Sequence, residues 1–196
     1  MLKIGITGGI GAGKTTVCQI FELLNVPVYY ADDRAKQLMT EDQELVQHIT
    51  SLLGSKAYNQ DGSLNRKYIA TIVFNNKKKL AMLNALVHPA VTKDANKWFT
   101  QQKNTSFALK EAALLFEAGS YKDLDKIIVV DAPAELRIER VMKRDNVSRE
   151  EVEARIKKQM PQEEKVAKAD FVIYNTPQHT LNQQVTTICN KLEQLA

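Results

Sequence analysis

The sequence predicts an α/β fold, a parallel five-stranded sheet with helices on both faces. Two observations point there. Short runs rich in β-branched residues alternate with stretches of helical apolar spacing. A glycine-rich turn also joins the first such run directly to the first helical stretch. The 196 residues suffice for one ordinary core, and 44% apolar with 26% charged residues is the balance of a globular chain, not a disordered one.

Leu2 to Thr7 is short and β-branched, so a buried strand is expected, followed by the turn Gly8 to Gly13. Lys14 to Leu24 carries Val17, Ile20, Phe21 and Leu24 at helical spacing. Val26 to Tyr30 reads as a second strand, with Asp32 and Asp33 leading into a helix. Residues from about Ala35 to Gln102 are mainly helical in pattern, broken by strong turn chemistry at Tyr58 to Ser63. That is more chain than a crossover between strands needs, so a helical insert is expected. His88-Pro89 reads as a boundary between helical segments, because proline suits a first helical turn. Phe107 to Phe116 and Ile127 to Val130 are further strand candidates. Pro133 should open a helix to about Arg144, and Ser148 with Glu151 forms a capping box for another from Arg149 to about Met160, ended by Pro161. Phe171 to Tyr174 is the last strand, and a polar-faced helix closes the chain.

The formal net charge of +4 favours anionic ligands such as nucleotides but is too small to argue for nucleic acid. Cys18 and Cys189 have no metal-ligand spacing and form no disulfide framework, so reduced thiols and a cytoplasmic location are expected. The N-terminus runs into the glycine turn without the apolar stretch of a signal peptide. No apolar run approaches the ~20 residues that span a bilayer.

Gly8-Gly9-Ile10-Gly11-Ala12-Gly13-Lys14-Thr15 fits G-x-x-x-x-G-K-[ST], the phosphate loop of P-loop proteins. Glycines let the backbone turn tightly, so that its N–H groups converge on phosphate oxygens, and the helix N-terminus adds its positive dipole end. Lys14 would bridge the β- and γ-phosphates, the Thr15 hydroxyl would ligate Mg²⁺, and Thr16 could donate to the α-phosphate. The motif means ATP or GTP. A GTPase would carry D-x-x-G and N-K-x-D, yet no Asp lies three residues before any Gly, and Asn76-Lys77 continues as Lys78-Lys79. A small kinase fits better.

Asp32, just past the second strand, could accept the proton of an attacking hydroxyl, or it could cap the next helix. Arg137, Arg140 and Arg144 share a helical face and could neutralise ATP phosphates, or form a solvated charged face. Ile127 to Asp131 is similar to a Walker-B strand, although Asp131 could equally cap the helix after Pro133, and Glu117 is a rival acid.

The ordered set of motifs resembles the dephospho-coenzyme A kinase family along nearly the whole chain. After the phosphate loop come Ala31-Asp32, Asp61-Gly62-Ser63-Leu64-Asn65-Arg66 with Val73-Phe74, His88-Pro89 and Leu114-Leu115-Phe116-Glu117. Val130-Asp131-Ala132-Pro133, Arg140 with Arg144-Asp145, Arg155 with Gln159, and Ala169-Asp170 with Asn175 follow. Three positions depart from the family: Tyr30 for the usual Asp, Ala113 for a common Pro, and Arg137 for a common Gln.

The resemblance implies transfer of the ATP γ-phosphoryl to the ribose 3′-hydroxyl of dephospho-coenzyme A, the last step of coenzyme A biosynthesis, with Mg²⁺. It implies Asp32 as catalytic base beside Lys14 and Arg140, the latter a lid arginine on ATP. Gly9, Gly11, Ala12, Gly13, Lys14, Thr15 and Thr16 would hold the phosphates. Asn175 would lie near adenine, and Leu64, Arg66 and His88 on the acceptor side. The expected parts are a core of about 1–31, 104–137 and 165–196, a helical substrate-binding insert of about 32–103, and a helical lid of about 138–164. Partners are expected to be these two small molecules, with no nucleic acid, membrane or obligate protein partner. Rival readings are another small-molecule kinase and a non-enzymatic nucleotide-dependent module.

Overall fold

In the computed structural model, which describes residues 1–74 and 76–196, five strands form one sheet in the order β2-β3-β1-β4-β5. They are β1 (Leu2–Thr7), β2 (Val28–Tyr30), β3 (Phe107–Glu111), β4 (Lys126–Asp131) and β5 (Phe171–Tyr174). Every neighbouring pair is parallel, as the alternating pattern predicts. The glycine loop therefore follows the central strand, and all the strands deliver their C-terminal ends to one edge.

The two faces of β1 are filled differently. Ile4 and Ile6 point to the face where α1 (Lys14–Leu23) and α9 (Leu181–Leu195) pack, burying Val17, Phe21, Val185 and Leu192 with them. That shared apolar stripe is what holds two helices of modest intrinsic propensity on the sheet. On the opposite face a Cβ on Gly5 would stand 2.8 Å from Leu115, Leu124 and Ile127. Glycine is the residue that lets those side chains close over the strand.

The chain forms two compact units, Met1–Tyr30 with Phe99–Ala196, and Ala31–Trp98. The first contains the sheet. The second is helical, with α2 (Ala31–Glu41), α3 (Gln43–Leu53), α4 (Arg66–Phe74) and most of α5 (Lys77–Gln101). Within it Asp42 caps α3 by accepting from Leu45 N at 3.1 Å, and Leu45, Ile49 and Leu53 bury one stripe of that helix. Tyr58 donates its hydroxyl hydrogen to Met39 O at 2.7 Å, and Tyr68 does the same to Leu53 O at 3.1 Å. Arg34 places its fork on Asp94 at 3.0 and 2.9 Å.

Four local expectations need correction. His88-Pro89 does not separate helices, because α5 runs unbroken through Pro89. A mid-helix proline costs one hydrogen bond and on the order of 3 kcal/mol. Leu83, Val87, Val91, Ala95 and Phe99 form a buried i, i+4 stripe that spans it and offsets that cost. The strand from Phe107 stops at Glu111, well before Phe116. Ala112 N donates the last rung to Ile6 O, and the chain then turns so that Leu115 can enter the core.

Ser148 and Glu151 do form a capping box, but the helix that it starts, α7 (Arg149–Ile156), is shorter than expected. Tight bonds from Lys158 N to Arg155 O and from Gln159 N to Ile156 O end it, and α8 (Gln162–Ala167) begins after Pro161. Finally, Asp32 and Asp33 lie inside the first turn of α2, not at its N-cap. Asp131 ends β4 while Pro133 occupies the N-cap of α6 (Ala134–Asp145). Among the described residues no helix is long and apolar enough to cross a membrane.

Candidate active site

Gly13, at φ +92°, is the N-cap of α1, so Lys14 opens the helix at the C-terminal edge of the sheet. The first turn of any helix leaves N–H groups without intrahelical acceptors, and these face an incoming anion with the dipole behind them. Thr15 and Thr16 are exposed on this turn. The Lys14 ammonium donates to Gly8 O at 3.2 Å and stands 3.8 Å from a Glu111 carboxylate oxygen.

Glu111 is 8% exposed and pairs in register with both Ile6 of β1 and Tyr30 of β2. It is the carboxylate that the structure brings to the phosphate loop. Sequence reasoning passed over it for Asp131 and Glu117, because β3 and β4 both border β1 and only the folded structure shows that Lys14 turns toward the acid at the end of β3. The available signal was an acid two residues after the apolar run Phe107-Ala108-Leu109.

Glu117 is engaged elsewhere. Its carboxylate accepts from Met160 N at 2.8 Å and pairs at 2.9 Å with Lys165, whose side chain is fully buried. Partial burial opposes its charge, but these hydrogen bonds outweigh burial and hold the carboxyl below the usual range.

The loop's peptide groups are gripped from several sides. Gly9 N donates to Gln162 Oε1 at 2.9 Å, and Ile10 N to Gln159 Oε1 at 2.9 Å. Arg140 donates to Gly11 O at 3.4 Å, and Asn175 Nδ2 to Ala12 O at 2.8 Å. Arg140 also reaches Asn175 O and Oδ1, both at 3.2 Å. The sequence-nominated pair Arg140 and Asn175 thus meets at the loop. At Gly11, φ is +79° and a Cβ would collide with the backbone carbonyl of Arg137. Only glycine permits that approach of α6.

The three arginines of the expected basic face part company. Arg137 is 6% exposed, beside Gly9, and donates from Nε to Ala132 O at 3.0 Å. Burial lowers its pKa, partly opposed by Asp131. Arg144 is outside the loop's grip and forks onto Asp145 at 2.7 and 3.1 Å. Arg137 and Arg140 both lie against the loop, and of the three only Arg140 donates to one of its carbonyls.

In the second unit Asp32 is exposed in the first turn of α2, and Asp33 pairs with Lys36 at 2.7 Å. Arg66 begins α4 directly after the Tyr58–Leu64 bridge, and His88 lies on α5.

The hydroxyls of Thr15 and Thr16 and the Glu111 carboxylate beside Lys14 are oxygen donors of the kind a hard divalent cation such as Mg²⁺ takes. Among the described residues no cluster of three or more His, Cys, Asp or Glu could hold a metal by itself. Such an ion would complete its shell with nucleotide and water oxygens, which is the usual habit of Mg²⁺.

A sequence model of the dephospho-CoA kinase family matches residues 2–180. A dephospho-CoA kinase of Bacteroides fragilis is 36% identical over 184 residues, covering 94% of this chain and 89% of its own. One from Chlorobaculum tepidum is 42% identical over 182 residues, covering 89% and 86%. The solved dephospho-CoA kinase from Campylobacter jejuni superposes with a TM-score of 0.72 at 30% identity, covering 98% of this chain and 97% of that one.

Proposed function

The chain belongs to the dephospho-CoA kinase family, and on that premise we propose how its own residues transfer the ATP γ-phosphoryl to the ribose 3′-hydroxyl of dephospho-CoA. It is an ATP-dependent transferase of coenzyme A biosynthesis. The observation that carries the division of roles is the braced phosphate loop, with Lys14 between Gly8 O and Glu111.

Lys14 and the amides of the first helical turn hold the β- and γ-phosphates, and Thr16 donates to the α-phosphate. Arg140 adds positive charge as the phosphoryl moves. Adenine sits by Asn175. When bound, Mg²⁺ neutralises charge on the β- and γ-phosphates. Thr15 would hold the ion through its hydroxyl, and Glu111 would stand beside it as a carboxylate.

Asp32 accepts the 3′-hydroxyl proton and aims the oxygen in line with the γ-phosphate. Support comes from its place two residues past β2 and from the pairing of its neighbour Asp33 with Lys36. Leu64, Arg66 and His88 contact the acceptor. Residues 138–164 act as the lid that excludes water during transfer. A cytoplasmic location is supported by two free, buried thiols. Burial pushes the Cys189 thiol up to about 11 and Cys18 higher still, so neither is a reactive thiolate.

The test is ADP release from ATP and Mg²⁺, with dephospho-CoA, adenosine or nucleoside monophosphates as acceptor. Stimulation by dephospho-CoA alone is expected. Stimulation by another acceptor instead would discard the proposed acceptor and keep the phosphotransferase.

A further inference from the structure

The turn after α7 and the first residue of α8 carry two glutamines three residues apart, Gln159 and Gln162, and both face the start of the phosphate loop. Gln162 is 7% exposed and uses both ends of its amide. Its Oε1 accepts from Gly9 N at 2.9 Å, and its Nε2 donates to Val130 O at 3.0 Å. Gln159, half-buried, accepts from Ile10 N at 2.9 Å. A carboxylate could not replace Gln162, because it has no hydrogen to give to Val130 O.

The segment is itself held from behind. Met160 N donates to Glu117 at 2.8 Å, and Lys165 bonds Ala113 O at 3.3 Å as well as pairing with Glu117. A rigid block therefore presents two acceptors to two consecutive loop amides.

Those amides lie at the opening of the turn that Ala12 N closes on Gly9 O at 3.0 Å. The far end of the same turn is held through Gly11 O and Ala12 O by Arg140 and Asn175. Fixing the first two peptide planes fixes the direction of those that follow, and the following amides are the ones that meet phosphate. Preorganised donors of this kind need no reorganisation when charge arrives.

We propose that Gln159 and Gln162 are positioning residues for phosphate binding, acting through the Gly9 and Ile10 amides without touching the nucleotide. This rests on the reading of the loop as the ATP site. It also ties the residues proposed as a lid to the loop through two side chains.

Gln159 is the residue to change first, since removing Gln162 would strip a buried carbonyl of its donor and threaten folding. In Gln159→Ala the Ile10 amide of the nucleotide-free protein should exchange with solvent about tenfold faster. The KM for ATP should rise about five- to tenfold, the worth of one hydrogen bond, while the KM for dephospho-CoA stays within about twofold. Gln159→Glu keeps an acceptor oxygen and should restore slow exchange at Ile10. Unchanged exchange at Ile10, or an equal rise in both KM values with a fall in melting temperature, would overturn the proposal. If the unaltered protein showed no acceptor-stimulated ADP release, the functional reading would fail, and Ile10 exchange would still decide the clamp.

Discussion

The loop of residues 8–13 and the helical unit 31–98 are held by different kinds of contact. The side chains that grip the loop come from 129 to 163 residues away in sequence. In the helical unit the tyrosine ties reach back only 19 and 15 residues, and the Arg34–Asp94 fork spans 60. The loop's shape is thus set by distant elements converging on a few peptide groups. The helical unit is set by neighbouring helices zipping together. Damage to the first should appear in nucleotide handling, and damage to the second in stability.

The sharpest test of this contrast is a residue of the helical unit assigned a chemical role. Asp32→Asn is expected to lower kcat by about 10²-fold or more, with ATP binding nearly normal. Unchanged turnover would remove Asp32 as the base and leave the helical unit with acceptor contacts and packing but no proton-transfer role.

Next in size is the brace behind the loop. Glu117→Gln would leave Lys165 buried with a weaker partner and should cost on the order of 2 kcal/mol in chemical denaturation. The effect has a definite pH sign. The folded carboxyl titrates below the usual range. Its contribution is therefore present above the unfolded carboxyl pKa of about 4.3 and fades as pH falls through the folded value. The stability gap between parent and variant should hold near neutral pH and shrink as pH falls below the unfolded carboxyl pKa of about 4.3. A gap that widened on acidification would reverse the assigned shift.

Gly11→Ala should cost about 1–2 kcal/mol, from the left-handed backbone and the approach of Arg137 O. It should also raise the KM for ATP about tenfold, and a normal KM would mean that the loop tolerates displacement. The smallest effect is expected at Arg34→Ala, about 1 kcal/mol on thermal unfolding, because the pair is only partly shielded. ATP kinetics should not change, and a raised KM for ATP would blur the distinction between the two regions.

Much of the fold was legible because its signals are local. The period-2 and period-3.6 patterns, the glycine loop between strand and helix, and the Ser148–Glu151 box each depend on residues within a few positions of one another. The phosphate-site glycines, Lys14 and Thr15 could be named for the same reason. Arg140 and Asn175 came through family likeness, and their meeting at Gly11 and Ala12 was beyond any local pattern.

Where local rules misled, a distant surface had the larger energy. Pro89 reads as a break, yet the stripe from Leu83 to Phe99 carries the helix across it. Arg137, Arg140 and Arg144 look alike on a helical wheel, yet one is buried against Ala132 O, one meets the loop and one turns to Asp145.

By itself the sequence determined the element types, the phosphate loop and the family, since backbone preference and side-chain period are properties of near neighbours. The tertiary structure decided that Glu111 is the acid beside Lys14, and that Gln159 and Gln162 hold the loop's first amides. Those pairings depend on strand order and on where a turn ends, and both follow from how whole faces bury against one another.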